Sequence, residues 1–196
     1  HLLSRRQRQM CIRDRDIIDA RVTHLEKFGA FIDIGAGINA LIPIDMLSVS
    51  RINHPRERVY EGECIKVVLR KREPEKLTFS LKELLGTWSE NAKMFQPGET
   101  VTGTVRSIET YGVFVELTPN LAGLAEPCDY LFEGQRVAVY IKSVLPDKMK
   151  IKLVIVEAFE EAEMAQDLTY FVNAQHIDRF DYSPPGAPKV ISTVFE

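Results

Sequence analysis

The sequence predicts a mainly β protein of two tandem five-stranded Greek-key barrels, joined by a short helix and followed by a small α/β C-terminal extension. Three observations predict it. Residues 16–44 superimpose on 99–127 at a constant offset of 83 with no gap. The match resumes at an offset of 72, where EGECIKVVL (61–69) meets EGQRVAVYI (133–141). Each copy holds five short segments of alternating apolar residues, separated by Gly, Pro and Asp turn signals.

The first unit is placed at 16–83 and the second at 98–156. In their first strands Ala20, Val22 and Leu25 match Gly103, Val105 and Ile108, an inward-facing set. In the second strand Ile32 and Ile34 alternate with Phe31 and Asp33. Gly29 and Gly112 fall where a bulge turns the corner of a small barrel. Third strands follow at 38–44 and 121–126, fourth at 64–71 and 136–143, and fifth at 76–82 and 149–155. Five such strands in about 60 to 70 residues point to the OB-fold. The first unit carries 11 more residues between its third and fourth strands, where DMLSVSRINHPRERVYEG is expected to form a short helix.

The linker, 84–97, has Leu84, Leu85, Trp88, Ala92 and Phe95 near helical spacing, and Pro97-Gly98 ends it. Trp88 is read as core. The extension, 157–196, offers a helix over 158–166 and then an apolar stretch expected to pack on the second unit. At the other end, residues 1–15 read as a stub. QRQMCIRDR (7–15) has no periodicity and resembles translated adaptor read-through, so the native chain is expected to continue upstream. The competing reading is a flexible basic arm that touches phosphates.

Charge narrows the function. The net charge is −3, with +4 in residues 1–15, −6 in 157–196 and −1 between them. A polyanion binder relying on bulk charge would be far more basic, so any nucleic-acid affinity must come from local placement. Three cysteines form no CxxC pair, which argues against a disulfide scaffold or zinc site and for a reducing cytoplasm. No apolar run approaches the roughly 18 residues of a membrane span. His24, His54 and His176 have no metal-ligand spacing, and Gly35-Ala36-Gly37 lacks the lysine of a phosphate loop. The reading is therefore non-enzymatic, with no cofactor, metal or small-molecule substrate.

The informative feature is an aromatic pair three residues apart, Phe28 and Phe31, repeated as Tyr111 and Phe114. Exposed rings on a sheet suit unpaired bases, because every base offers a stackable face, worth ~1–3 kcal/mol each. Arg21 and Arg106 are expected on the outer faces of the first strands. Arg70, Lys71, Arg72 and Lys76 cluster at the last hairpin of the first unit, and Lys142, Lys148, Lys150 and Lys152 at that of the second. Beside a stacking platform such cations form a phosphate track. Asp33 and Glu116, read as outward carboxylates, oppose it.

VTHLEKFGAFIDI and VRSIETYGVFVEL, then NALIPI and AGLAEP, EGECIKVVL and LTFSLKE together resemble the RNA-binding domains of the ribosomal protein S1 family over nearly all of 16–156. The resemblance implies second-strand aromatics that stack on single-stranded RNA, here Phe28, Phe31, Tyr111 and Phe114. Many members carry a third-strand histidine on the binding face, where this chain has Pro43 and Glu126. LLSRR (2–6) is similar to the closing strand of such a domain, which implies an upstream repeat and a short, N-terminally truncated family member. The expected partners are messenger RNA and the small ribosomal subunit. Two alternatives stand beside this: a protein-docking module, favoured by Asp33, Glu116, Glu126 and the acidic extension, and the RNA-binding accessory part of a larger enzyme such as an exoribonuclease.

Overall fold

The computed structural model describes residues 12–35, 38–162 and 167–195. Residues 1–11 of the stub lie outside them. Ile12 packs against the first barrel's core, and Arg15 pairs with Asp178 at 3.0 Å.

The first barrel comprises β1 (Ile17–Glu26), β2 (Gly29–Asp33), β3 (Asn39–Pro43), β4 (Cys64–Arg72) and β5 (Leu77–Ser80), closed in the order β1-β2-β3-β5-β4. The second repeats that order with β6 (Thr100–Glu109), β7 (Gly112–Thr118), β8 (Leu121–Ala125), β9 (Gln135–Leu145) and β10 (Lys150–Ala162). In each, only the third and fifth strands pair parallel. This is the OB-fold topology, present twice. A short parallel contact closes each barrel, Leu41 opposite Thr78 in the first and Lys152–Leu153 opposite Leu124–Ala125 in the second. Alternation sends Val22, Ile32, Ile42, Val67 and Phe79 into one core and Val105, Val115, Val137 and Ile151 into the other.

Both first strands carry a β-bulge, and it is not at the glycines. It lies between Val22 and His24 in β1 and between Val105 and Ser107 in β6. The extra residue explains the spacing of the inward set, where Val22 is followed by Leu25 rather than by His24. Gly29 and Gly112 serve close approach instead. A Cβ on Gly29 would run into the Ile42 carbonyl oxygen, and one on Gly112 into that of Ala125.

Three expected helices are altered. The linker holds a single short helix, α1 (Trp88–Ala92), preceded by a 3-10 turn at Lys82–Leu84. Thr87 caps α1, its hydroxyl accepting from the Glu90 amide while Glu90 accepts from the Thr87 amide. Trp88 and Ala92 join the second core, as expected of that stripe. The long connection of the first unit forms two 3-10 turns, Ile44–Met46 and Pro55–Glu57. Residues 158–162, expected to be helical, continue β10, which pairs with β9 as far as Ala162 opposite Gln135; 163–166 lie outside the described residues. Among the described residues the extension holds β11 (Arg179–Asp181) and β12 (Ser192–Val194) and no helix.

The extension packs on both barrels, not the second alone. Phe180 and Tyr182 are buried in the second core, while Leu168 and Tyr170 pack on the first. The Lys66 amide donates to the Tyr170 hydroxyl at 3.0 Å, and the Phe171 amide to the Leu84 carbonyl at 3.0 Å. Among the described residues no helix is long and apolar enough to cross a membrane.

Candidate nucleic-acid interface

Each barrel presents its ring pair from the same place. Phe28 sits in the two-residue turn between β1 and β2, 57% exposed, and Phe31 projects outward from β2 by simple alternation, half-buried. No bulge at the glycine is needed to bring both rings out, because Phe28 precedes the strand. The rings meet edge to face with centroids 5.9 Å apart. Tyr111, 63% exposed, and Phe114 reproduce this at 6.1 Å. An edge-to-face pair fixes both rings while leaving faces open to solvent.

The bulge adds a third ring in the first barrel that residue spacing did not reveal. It turns His24 outward beside Phe31, stacked at 6.4 Å and 23°. The imidazole is held between the Glu26 carboxylate at 2.8 Å and that of Glu61 at 3.1 Å. The hydrogen bond to Glu26, and with it Glu61, raises the His24 pKa against a smaller opposing effect of desolvation. Ser107 stands at the equivalent position of the second barrel, so the two platforms differ.

The strand pairing also sorts the cations. One outward row crosses the first barrel through His24, Phe31, Leu41, Thr78 and Lys71. Lys71 therefore lies three strands, roughly 14 Å, from Phe31, exposed and paired with Glu73 at 2.8 Å. The matching row of the second barrel runs Ser107, Phe114, Leu124, Lys152 and Ser143. Lys152 is thus the lysine of its hairpin in the row of Phe114. Lys148 and Lys150 are exposed at the far end of the β9–β10 hairpin and Arg72 and Lys76 at that of β4–β5, while Lys142 is exposed at the register shift beside Lys152, the position of Arg70 in the first barrel. Arg21 is exposed on β1 opposite Asp33, whose carboxylate accepts from the Gly35 amide at 2.8 Å.

Two cations expected in the phosphate track are engaged inside the protein. The Arg70 guanidinium lies over the Phe195 ring at 5.5 Å, held by the extension. Arg106 occupies the bulge of β6, the position of Thr23 in the first barrel, and its side chain is 7% exposed. It donates to Glu116 at 2.6 Å and to Glu57 at 2.7 Å. Glu116 also takes both prongs of Arg58, at 2.6 and 3.0 Å, and both those side chains are 4% exposed. Burial would push the Glu116 carboxyl up, but the Arg58 guanidinium, with Arg106, outweighs it and holds the pKa below the usual carboxylate value. The carboxylate expected to repel RNA is therefore buried and neutralised between the barrels.

That interface explains the longer connection of the first unit. Residues 48–58 dock on the second barrel: the Val49 amide donates to Asn120 Oδ1 at 3.0 Å and the Ser50 amide to the Pro119 carbonyl at 3.1 Å. Asn120 Nδ2 in turn donates to the Lys82 and Gly86 carbonyls, both at 2.8 Å. No group of three His, Cys, Asp or Glu side chains able to hold a metal occurs among the described residues.

Two tandem OB barrels thus each present an outward ring pair, one ring from the turn before the second strand and one from that strand, as in S1-type domains. Residues 12–82 match the S1 RNA binding domain. This match, with the relatives that follow, supports membership of the S1 family of ribosomal protein bS1. It is 33% identical over 165 residues to the small ribosomal subunit protein bS1 homolog of Bacillus subtilis (strain 168), covering 77% of this chain and 43% of that one. It is 34% identical over 158 residues to the small ribosomal subunit protein bS1 of Staphylococcus epidermidis, covering 74% and 40%. The chain spans less than half the length of these curated relatives. Among solved structures it is similar to a multidomain protein with nucleic acid binding domains from Streptococcus pneumoniae, at 18% identity and a TM-score of 0.35, over 75% of this chain and 53% of that one.

Proposed function

We propose that the chain binds single-stranded RNA without catalysis, in the cytoplasm, by stacking unpaired bases on Phe28 and Phe31 of one barrel and Tyr111 and Phe114 of the other. The observation that carries this reading is the recurrence of the same exposed edge-to-face pair at equivalent positions of both barrels. Apolar rings left in water at two matched places are retained for a ligand with flat faces. Lys71 and Lys152, in the rows of Phe31 and Phe114, and Arg21 beside them supply the phosphate contacts nearest the rings. Arg72, Lys76, Lys142, Lys148 and Lys150 extend the track along the hairpins. Similarity to small ribosomal subunit proteins bS1 supports a part in bacterial translation, and messenger RNA and the small ribosomal subunit are the partners this reading expects.

The test is fluorescence anisotropy with a labelled unstructured RNA. Replacing Phe28, Phe31, Tyr111 and Phe114 by Ala together is expected to weaken binding at least about tenfold, since each lost stack is worth ~1–3 kcal/mol. Unchanged affinity in a folded variant overturns the reading. The protein-docking alternative loses one of its supports, because Glu116 faces the partner barrel rather than solvent.

A further inference from the structure

A groove of about 440 Å³ opens beside Phe114, and its two walls come from different barrels. Ser107, Glu109, Phe114 and Glu133 belong to the second barrel, while Ser50, Arg51 and Asn53 come from the long connection of the first. The volume lies within the ~300–1,000 Å³ of small-ligand clefts. The first barrel's residues are held there by the contacts of Val49 and Ser50 to Asn120 and Pro119, and by the Arg58–Glu116–Arg106–Glu57 ion network next to them. Arg51 is exposed and forms no ion pair among the described residues, whereas Arg106, which also lines the groove, is committed to Glu57 and Glu116.

We infer that this groove is a composite nucleotide site of the second barrel, in which the first barrel supplies the phosphate contact through Arg51. The inference rests on the RNA-binding reading above and adds a residue and a geometry to it. Phe114 offers the stacking face. Glu109 and Glu133 accept hydrogen bonds from amino groups on a base edge and repel phosphate, so the backbone of the nucleotide is directed to the opposite wall, where Arg51 is the available cation. Ser50, Ser107 and Asn53 bring further donors and acceptors between the two.

The experiment titrates labelled oligouridine and oligoguanosine-containing single strands against the full chain over a range of salt, with folding checked by circular dichroism. R51A is expected to weaken binding about five- to tenfold and to lower the slope of log K against log salt by about one, while R51K keeps most of that slope. In a double-mutant cycle the losses from R51A and F114A are expected to be less than multiplicative, and those from R51A and F31A multiplicative, because Phe31 is on the other barrel. R51A binding like the parent, with the ring variants weakened, overturns the composite site and leaves the stacking reading intact. Equal independence of R51A from F114A and F31A also overturns it. Ring variants that bind like the parent overturn the stacking reading itself.

Discussion

Arg58 and Glu116, 58 positions apart in the chain, form a two-pronged ion pair closed on both sides by the barrels that carry them, with a second arginine, Arg106, on the same carboxylate. Removing one partner of such a pair leaves a buried charge uncompensated. R58A is expected to cost about 3–5 kcal/mol in urea unfolding. Replacing an exposed arginine such as Arg72 is expected to change stability by less than about 0.5 kcal/mol.

The same carboxylate sets an acid limit. Because the folded pKa of Glu116 lies below its ordinary 4.5, its stabilising effect is fully present above about that pH and is lost as pH falls through the depressed value. Unfolding followed from pH 7 down to pH 3 is expected to show a steep loss of stability below about 4.5. E116Q is expected to be less stable at neutral pH and to have a shallower acid limb.

His24 gives the opposite sign. With a pKa raised above 6.5, its ion pairs are complete below that pH and dissolve as pH rises through the raised value. Titration of the imidazole by NMR is expected to place its midpoint above 6.5. E26Q is expected to lower that midpoint more than E61Q, because Glu26 makes the shorter and stronger contact.

Gly29 and Gly112 allow the second and third strands of each barrel to approach where a Cβ would strike a backbone carbonyl. G29A and G112A are each expected to destabilise by roughly 1–3 kcal/mol, as overpacking does. Each is also expected to weaken RNA binding through its own barrel, since Phe31 and Phe114 lie two residues further along the displaced strands. Thermal melts and anisotropy on the two variants check both effects.

Tyr182 anchors the extension by donating its hydroxyl to the Asn120 carbonyl at 2.5 Å, and burial pushes its pKa upward, so the proton stays on the donor. Y182F is expected to cost about 1 kcal/mol in urea unfolding, the usual worth of a hydrogen bond whose acceptor remains buried.

The barrels and their ring pairs were legible because both are local in sequence. Alternation, turn residues and a 29-residue ungapped repeat determine strands, and Phe28 and Phe31 lie within one hairpin. The roles of Arg106 and Glu116 were not legible. Alternation puts both on outer faces of their strands, and only the docking of the other barrel turns those faces into an interior. Arg70 misled for the same reason, since Phe195 covers it from 125 positions away. The bulge did leave a trace in the 20, 22, 25 spacing of inward residues, and that trace, followed one step further, exposes His24 beside Phe31. The helix expected over 158–166 failed because pairing with β9 outweighs helix propensity in residues 158–162.

The eleven additional residues of the first repeat give the array a direction. With residues 48–58 clamped to the neighbouring barrel, the two platforms hold a set orientation, so on the stacking reading a strand that engages both is expected to do so in one polarity. Excising those residues to make the repeats alike would remove the Arg58–Glu116 clamp and leave only the linker and the extension to hold the barrels in register.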